Sequence, residues 1–184
     1  MRHLGEPYYV ALLTAAQFHG AAHHKPQRFQ VMVRKNRRCI LRGTALPIEF
    51  IARHDLERTP IVELNTPTGR IRVSSPEATA LEVAGHPRYC GGMDNVANTA
   101  AEISDVMDAK RLVAAARLCP LLWAQRLGYL LDLTGHSEMA GPLAAYVAEQ
   151  DPAYVPLSRH ARGPTGPRDT RWRLIVNETV EPDV

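Results

Sequence analysis

The stretch GRIRVSSPEATALEV, residues 69–83, changes its hydrophobic period from two to that of a helix within fifteen residues. Ile71 and Val73 alternate with Arg70 and Arg72, which predicts a half-buried strand with an arginine-bearing outer face. Ser75 then offers a side-chain oxygen as N-cap. Pro76 fits the first helical position, where a missing N–H costs nothing, and Glu77 sets a carboxylate at the positive end of the helix dipole. Ala78, three residues beyond Ser75, excludes a capping box. A strand handing over directly to a helix is therefore expected here. The stretch specifies folding and no chemistry of its own.

Working outward, the 184 residues are 45% hydrophobic and 22% charged, values of a globular chain able to bury a core. No apolar run approaches the roughly 20 residues that cross a bilayer, and MRHLGEPYY lacks the apolar centre of a signal peptide. A cytoplasmic protein with no membrane contact is expected. Cys39, Cys90 and Cys119 form no CxxC pair and have no histidine at zinc-ligand spacing, so they read as reduced, structural thiols, with no metal and no cofactor.

The net charge of +3 is unevenly spread: residues 1–92 hold 13 Lys+Arg against 7 Asp+Glu, and residues 93–184 hold 9 against 12. The densest basic patch is Arg34, Lys35, Arg37 and Arg38, with Arg42 nearby, between two strand-like runs. It reads either as a solvated hairpin tip or as a polyanion contact, since clustered cations attract polyanions. No aromatic residue interleaves it, which argues against a stacking platform for single strands.

Residues 7–19 carry a helical apolar stripe at Tyr9, Leu12, Leu13 and Ala16, closed by Gly20. Strands are expected at Phe29 to Val33, Cys39 to Leu41, Leu46 to Arg53, Pro60 to Leu64 and Ile71 to Val73. Helices follow at 76–85, 93–106, 109–118, 121–134 and 137–149, the fourth so apolar that it reads as the central one. Tyr154 to Leu157 looks extended, 159–170 reads as a mobile loop, and 171–177 alternates as a strand. An apolar terminal strand is a liability unless paired, so it is expected to return to the first sheet. The predicted class is α+β: a small antiparallel or mixed sheet with an N-terminal helix, a multi-helix region and that C-terminal strand. Its parts are residues 1–75 (helix and basic sheet lobe), 76–150 (helical lobe) and 151–184 (loop and strand), packed as one domain.

Catalytic patterns are sparse. His19 and His23 stand four apart, but Gly20 ends the helix between them, so with His24 they read as a surface loop rather than a metal site. Glu49, Asp55, Glu63 and Glu77 sit on strands or junctions that do not converge as a nuclease cluster would. No Gly-x-Ser-x-Gly elbow or phosphate-binding glycine loop is present. Arg126 stands inside an apolar helix, where an unpaired charge is costly, so a carboxylate or carbonyl partner is expected, and it reads either as a tie between helix and sheet or as a binding residue exposed in a groove. Trp123 and Trp172 read as core anchors.

Four segments in order, YYVALLTAAQFHG (8–20), RVSSPEATALEV (72–83), QRLGYLLDLTG (125–135) and RWRLIVNETVEPDV (171–184), resemble the effector domain of AbiEi-type antitoxins. These are the antitoxin half of type IV toxin–antitoxin and abortive-infection, or phage-defence, systems. The positions that carry the resemblance are Tyr9, His19, Gly20, Pro76, Glu77, Thr79, Arg126, Leu127, Gly128, Tyr129, Trp172 and Asn177. The resemblance implies a bacterial, cytoplasmic, non-enzymatic antitoxin that counteracts a nucleotidyltransferase-like toxin, without a stable complex in several members. It also implies an N-terminal winged helix-turn-helix that binds operator DNA. This sequence opens only a few residues before Tyr8, so an effector domain without that module is expected. The alternatives are a DNA-binding transcriptional regulator using the basic hairpin, and a degenerate nuclease or phosphotransferase.

Overall fold

The computed structural model describes residues 7–21, 26–34, 47–67, 69–159, 161 and 163–183. Its centre is a mixed five-stranded sheet of β1 (Tyr8–Val10), β2 (Phe29–Val33), β3 (Ile48–Ala52), β4 (Ile61–Thr66) and β5 (Gly69–Ser74), in the order β3-β2-β1-β5-β4. β1 runs antiparallel to β2 and parallel to β5, with Tyr9 opposite Met32 and Val10 opposite Val73. β2 and β3 are parallel, whereas β4 and β5 form an antiparallel ribbon with Val62 opposite Val73.

The expected N-terminal helix over 7–19 is corrected: Tyr8–Val10 is the central strand, and α1 covers only Leu12–Phe18. A strand of three residues is too short to show a period of two, so the helical stripe that follows it masked it. Leu12 makes the change of direction with a φ of 53°, a left-handed conformation unusual for a bulky residue. Gly20, at φ 100°, ends the helical segment as expected.

Five further helices match the expected region: α2 (Pro76–Gly85), α3 (Met93–Ser104), α4 (Ala109–Ala116), α5 (Leu121–Leu133) and α6 (Ser137–Glu149). The opening junction forms as its residues predict, with the Ser75 hydroxyl accepting the Ala78 N–H at 3.2 Å. The most enclosed helix is α2 rather than α5, since every residue from Glu77 to Ala84 is buried. It packs between the sheet, through Tyr9, Met32 and Ile51, and the helices behind it. Removing this much apolar surface from water is the main drive for joining the two layers.

The C-terminal expectation is also corrected. Residues 171–173 form a turn, and the strand β8 (Leu174–Ile175) pairs with β6 (Val155–Pro156) and β7 (Arg168–Asp169) in a separate three-stranded sheet. Trp172 and Leu174 are fully buried in the main core. Their burial there, rather than pairing with the first sheet, disposes of the apolar side chains. The expected strand at Cys39 to Leu41 lies outside the described residues. No described helix is long and apolar enough to cross a membrane.

Candidate functional site

Strand β5 and helix α2 meet at Ser74 and Ser75, and polar groups from four elements converge on that corner. The Ser74 carbonyl accepts His19 Nε2 at 2.6 Å and the Thr79 hydroxyl at 3.2 Å. The Ser74 and Thr79 hydroxyls stand 2.7 Å apart and share a hydrogen bond. One turn along α2, buried Glu82 accepts the Tyr9 hydroxyl at 2.6 Å and Arg53 Nη1 at 2.7 Å through Oε1. Thr59 completes the chain at 3.1 Å from the Tyr9 hydroxyl.

Burial pushes the Glu82 carboxyl up to about 7, against the pull of the Arg53 guanidinium and the Tyr9 hydroxyl. The Ser74 hydroxyl also opposes the rise. Burial likewise raises the Tyr9 phenol, and the Glu82 charge adds to it, while Arg53 opposes both. The group ties sheet to helix through buried polar contacts. Tyr9, His19 and Thr79 thus belong to one buried junction, although the sequence separates them widely.

The other positions of the resemblance hold further joints. Glu77 lies under the junction, accepting the Ser75 hydroxyl at 2.9 Å and the Asp108 N–H, at the start of α4, at 3.1 Å. Arg126 is only 4% exposed and finds carbonyl partners: Nε donates to Leu157 at 2.7 Å and Nη1 to Ala84 at 3.4 Å. Burial lowers its pKa, and Arg159 lowers it further. Gly128 faces Trp172, whose ring occupies the space a Cβ would need. The indole donates to Asp132 Oδ2 at 2.6 Å. Asn177 accepts the Ser158 N–H at 2.9 Å and donates to the carbonyls of Ser158 and Gly163 at 2.8 and 2.7 Å. Leu127 is buried and Tyr129 half-buried on α5.

Outside this junction runs a series of cavities that share walls. One, about 410 Å³, lies between the end of α2, the short 3-10 helix Pro87–Tyr89, the start of α5 and the segment at Ser158 and Arg159. Arg88, Arg126 and Arg159 line it, with no carboxylate among the described residues. His86, Pro120 and Trp123 separate it from a second of about 400 Å³, which holds Arg53, Arg58 and Arg117 with Asp55. On the other side, Arg88 and Tyr89 are shared with a third of about 350 Å³. Trp123 leans on Gly85, meets His86 edge-on at 4.8 Å and carries the Arg53 guanidinium 5.2 Å from its ring centre.

Of the basic patch, Arg34 is exposed and pairs with Glu57, whereas Lys35, Arg37, Arg38 and Arg42 lie outside the described residues. His23 and His24 do too. Glu49 pairs with Arg28 and Glu63 with Arg70 on exposed ground. Among the described residues no group of three His, Cys, Asp or Glu stands close enough to hold a metal ion. Cys90 is buried and Cys119 half-buried, and burial pushes both thiols up, Cys119 to about 12, so neither is a ready nucleophile. Of the arginines that line these cavities, Arg126 was singled out by its place in an apolar helix, whereas Arg88, Arg117 and Arg159 are isolated in sequence and only the fold gathers them.

A mixed sheet backed by helices and welded to them by a buried polar corner defines an α+β domain. The chain belongs to the family of AbiEi antitoxin C-terminal domains, whose family model matches residues 9–133. It is thus an antitoxin domain of the toxin–antitoxin type. The match spans the Tyr9, Ser75-Pro76-Glu77 and Arg126 segments, and Trp172 and Asn177 lie beyond it. The chain is similar in fold to the RV2827C protein from Mycobacterium tuberculosis, with a TM-score of 0.65 at 17% identity over 94% of this chain. It spans 63% of that protein's length. No curated protein sequence matches the chain.

Proposed function

We propose that this chain is the part of an antitoxin that counteracts a nucleotidyltransferase-like toxin in the bacterial cytoplasm, and that it does so by binding rather than by turnover. The family match over residues 9–133 carries this reading. The use of the motif side chains supports binding over catalysis. Tyr9, Thr79 and Glu77 are spent on internal hydrogen bonds, and Glu82, the most perturbed carboxylate, is buried at 1% exposure. Catalytic acids must reach the proton they move, so these groups read as scaffold. The outer surfaces are left for contact.

Co-expression with a nucleotidyltransferase-like toxin, sought in the gene next to this one, tests the reading. Growth restored by this chain is the expected result. Toxicity unrelieved at matched expression overturns it.

A further inference from the structure

We propose that the arginine-lined groove over Pro87–Tyr89 and the start of α5 binds a stretch of single-stranded nucleic acid, which goes beyond the antitoxin reading and stands apart from it. The carrying observation is Arg126. It is a cation at 4% exposure whose hydrogen bonds run to two carbonyls and to no carboxylate among the described residues. Glu178 lies near enough to raise its pKa, yet outside ion-pair distance. A buried charge left without a counter-ion favours an anion brought in from outside.

The surroundings define that anion. Arg88 and Arg159 share the cavity and are exposed, no acid among the described residues lines it, and its 410 Å³ suits one nucleotide unit. The first turn of the thirteen-residue α5 opens at Pro120 and Leu122 on the same wall without a side-chain cap, and its dipole favours negative charge. Beyond the His86 and Trp123 partition lies a second station, where Arg53, Arg58 and Arg117 outnumber Asp55, although Arg117 also pairs with Glu149 at 3.9 Å. Toward the third cavity stands Tyr89, 44% exposed. Repeated cations divided by aromatic rings match a strand that alternates phosphates with flat bases. An acidic peptide would need the cations alone, and a free nucleotide would fill only one station.

The test is fluorescence anisotropy of fluorescein-labelled oligo(dT) and oligo(U), about a dozen nucleotides long, with the intact chain at low salt. Binding is expected to weaken about tenfold or more in Arg88→Ala/Arg159→Ala. The dependence of log K on log salt should flatten by roughly 1.4, for two phosphate contacts on a single strand. Tyr89→Ala should weaken binding about tenfold, the worth of one stacked base. Arg72→Ala, on the exposed face of β5, should leave binding unchanged. Unaltered melting temperatures would confirm that the variants fold.

Tighter binding of the oligonucleotide than of a mononucleotide competitor supports a strand. Equal binding of the two overturns it in favour of a free nucleotide. No anisotropy change, an equal loss in Arg72→Ala, or equal displacement by poly-glutamate also overturns it. Failure here leaves the co-expression result untouched, so the two readings fall separately.

Discussion

The ring of Trp172 lies directly on the bare Cα of Gly128, so two motifs distant in sequence form a single contact in space. Ring carbons stand where a Cβ would go. Helix propensity alone would favour Gly128→Ala by about 1 kcal/mol. Overpacking a filled core costs about 1–3 kcal/mol, and Trp172 is held by Asp132 and cannot retreat freely. We expect a net loss of about 1–2 kcal/mol in urea unfolding. A variant as stable as the parent would show that the indole yields.

Glu82 sets a pH dependence. Its ordinary pKa of 4.5 rises to about 7 in the folded chain, so between those values the native state holds a proton that the unfolded chain has released. Stability therefore falls as pH rises through that window, by on the order of 3 kcal/mol. His86, lowered by burial, has the opposite sign and withdraws stability as pH falls below 6.5. Unfolding curves of the parent and Glu82→Gln from pH 4 to 8 isolate the carboxyl, because His86 is common to both. The gap between them should close in the glutamine variant's favour as pH rises. A constant gap contradicts the assignment.

Arg126 joins the end of α2 to the chain at Leu157 by two charge-assisted bonds. Arg126→Ala leaves both carbonyls short of a donor and is expected to cost about 3 kcal/mol. Arg126→Lys keeps the charge without the fork and should recover less than half of that loss. Chemical denaturation of the three proteins decides it, and full recovery by lysine would make charge, not geometry, the relevant property.

Asn177 makes three bonds that close the loop between Ser158 and Gly163. Asn177→Ala should act locally. Trypsin cleavage at Arg159 is expected to quicken about tenfold, while global unfolding shifts by under about 1 kcal/mol. Cleavage at the parental rate would mean that the small sheet alone holds the loop.

Much of the fold was legible because local signals agreed. Ser75, Pro76 and Glu77 marked the start of α2, and the residues expected to open the later helices at 93, 109, 121 and 137 do so. Tyr8–Val10 was not legible, since three residues carry no measurable period and the stripe through Leu12 and Ala16 dominated. Leu174 and Ile175 showed an apolar terminal segment, but two-residue partners such as Val155–Pro156 leave no pattern that names them. Arg126 could be recognised as buried because its neighbours on α5 are apolar. Glu82, the centre of the buried corner, looked like an ordinary helical glutamate, because its partners Tyr9 and Arg53 come from other elements. For the same reason the groove arginines could not be assembled from spacing.

The three residues of β1 have a consequence in time. They join β2 on one side and β5 on the other, so the sheet cannot close until the distant chain around Val73 has been made and has found Val10. The β4–β5 ribbon can form at once from its own tight turn, whereas the pairing of β1 with β5 must wait for a long loop to close. Until then Val73 and Val10, both fully enclosed in the finished fold, stand as open strand edges. The shortest strand of the first sheet is therefore expected to dock late, and the interval before it docks is when a nascent chain is most open to pairing with its neighbours.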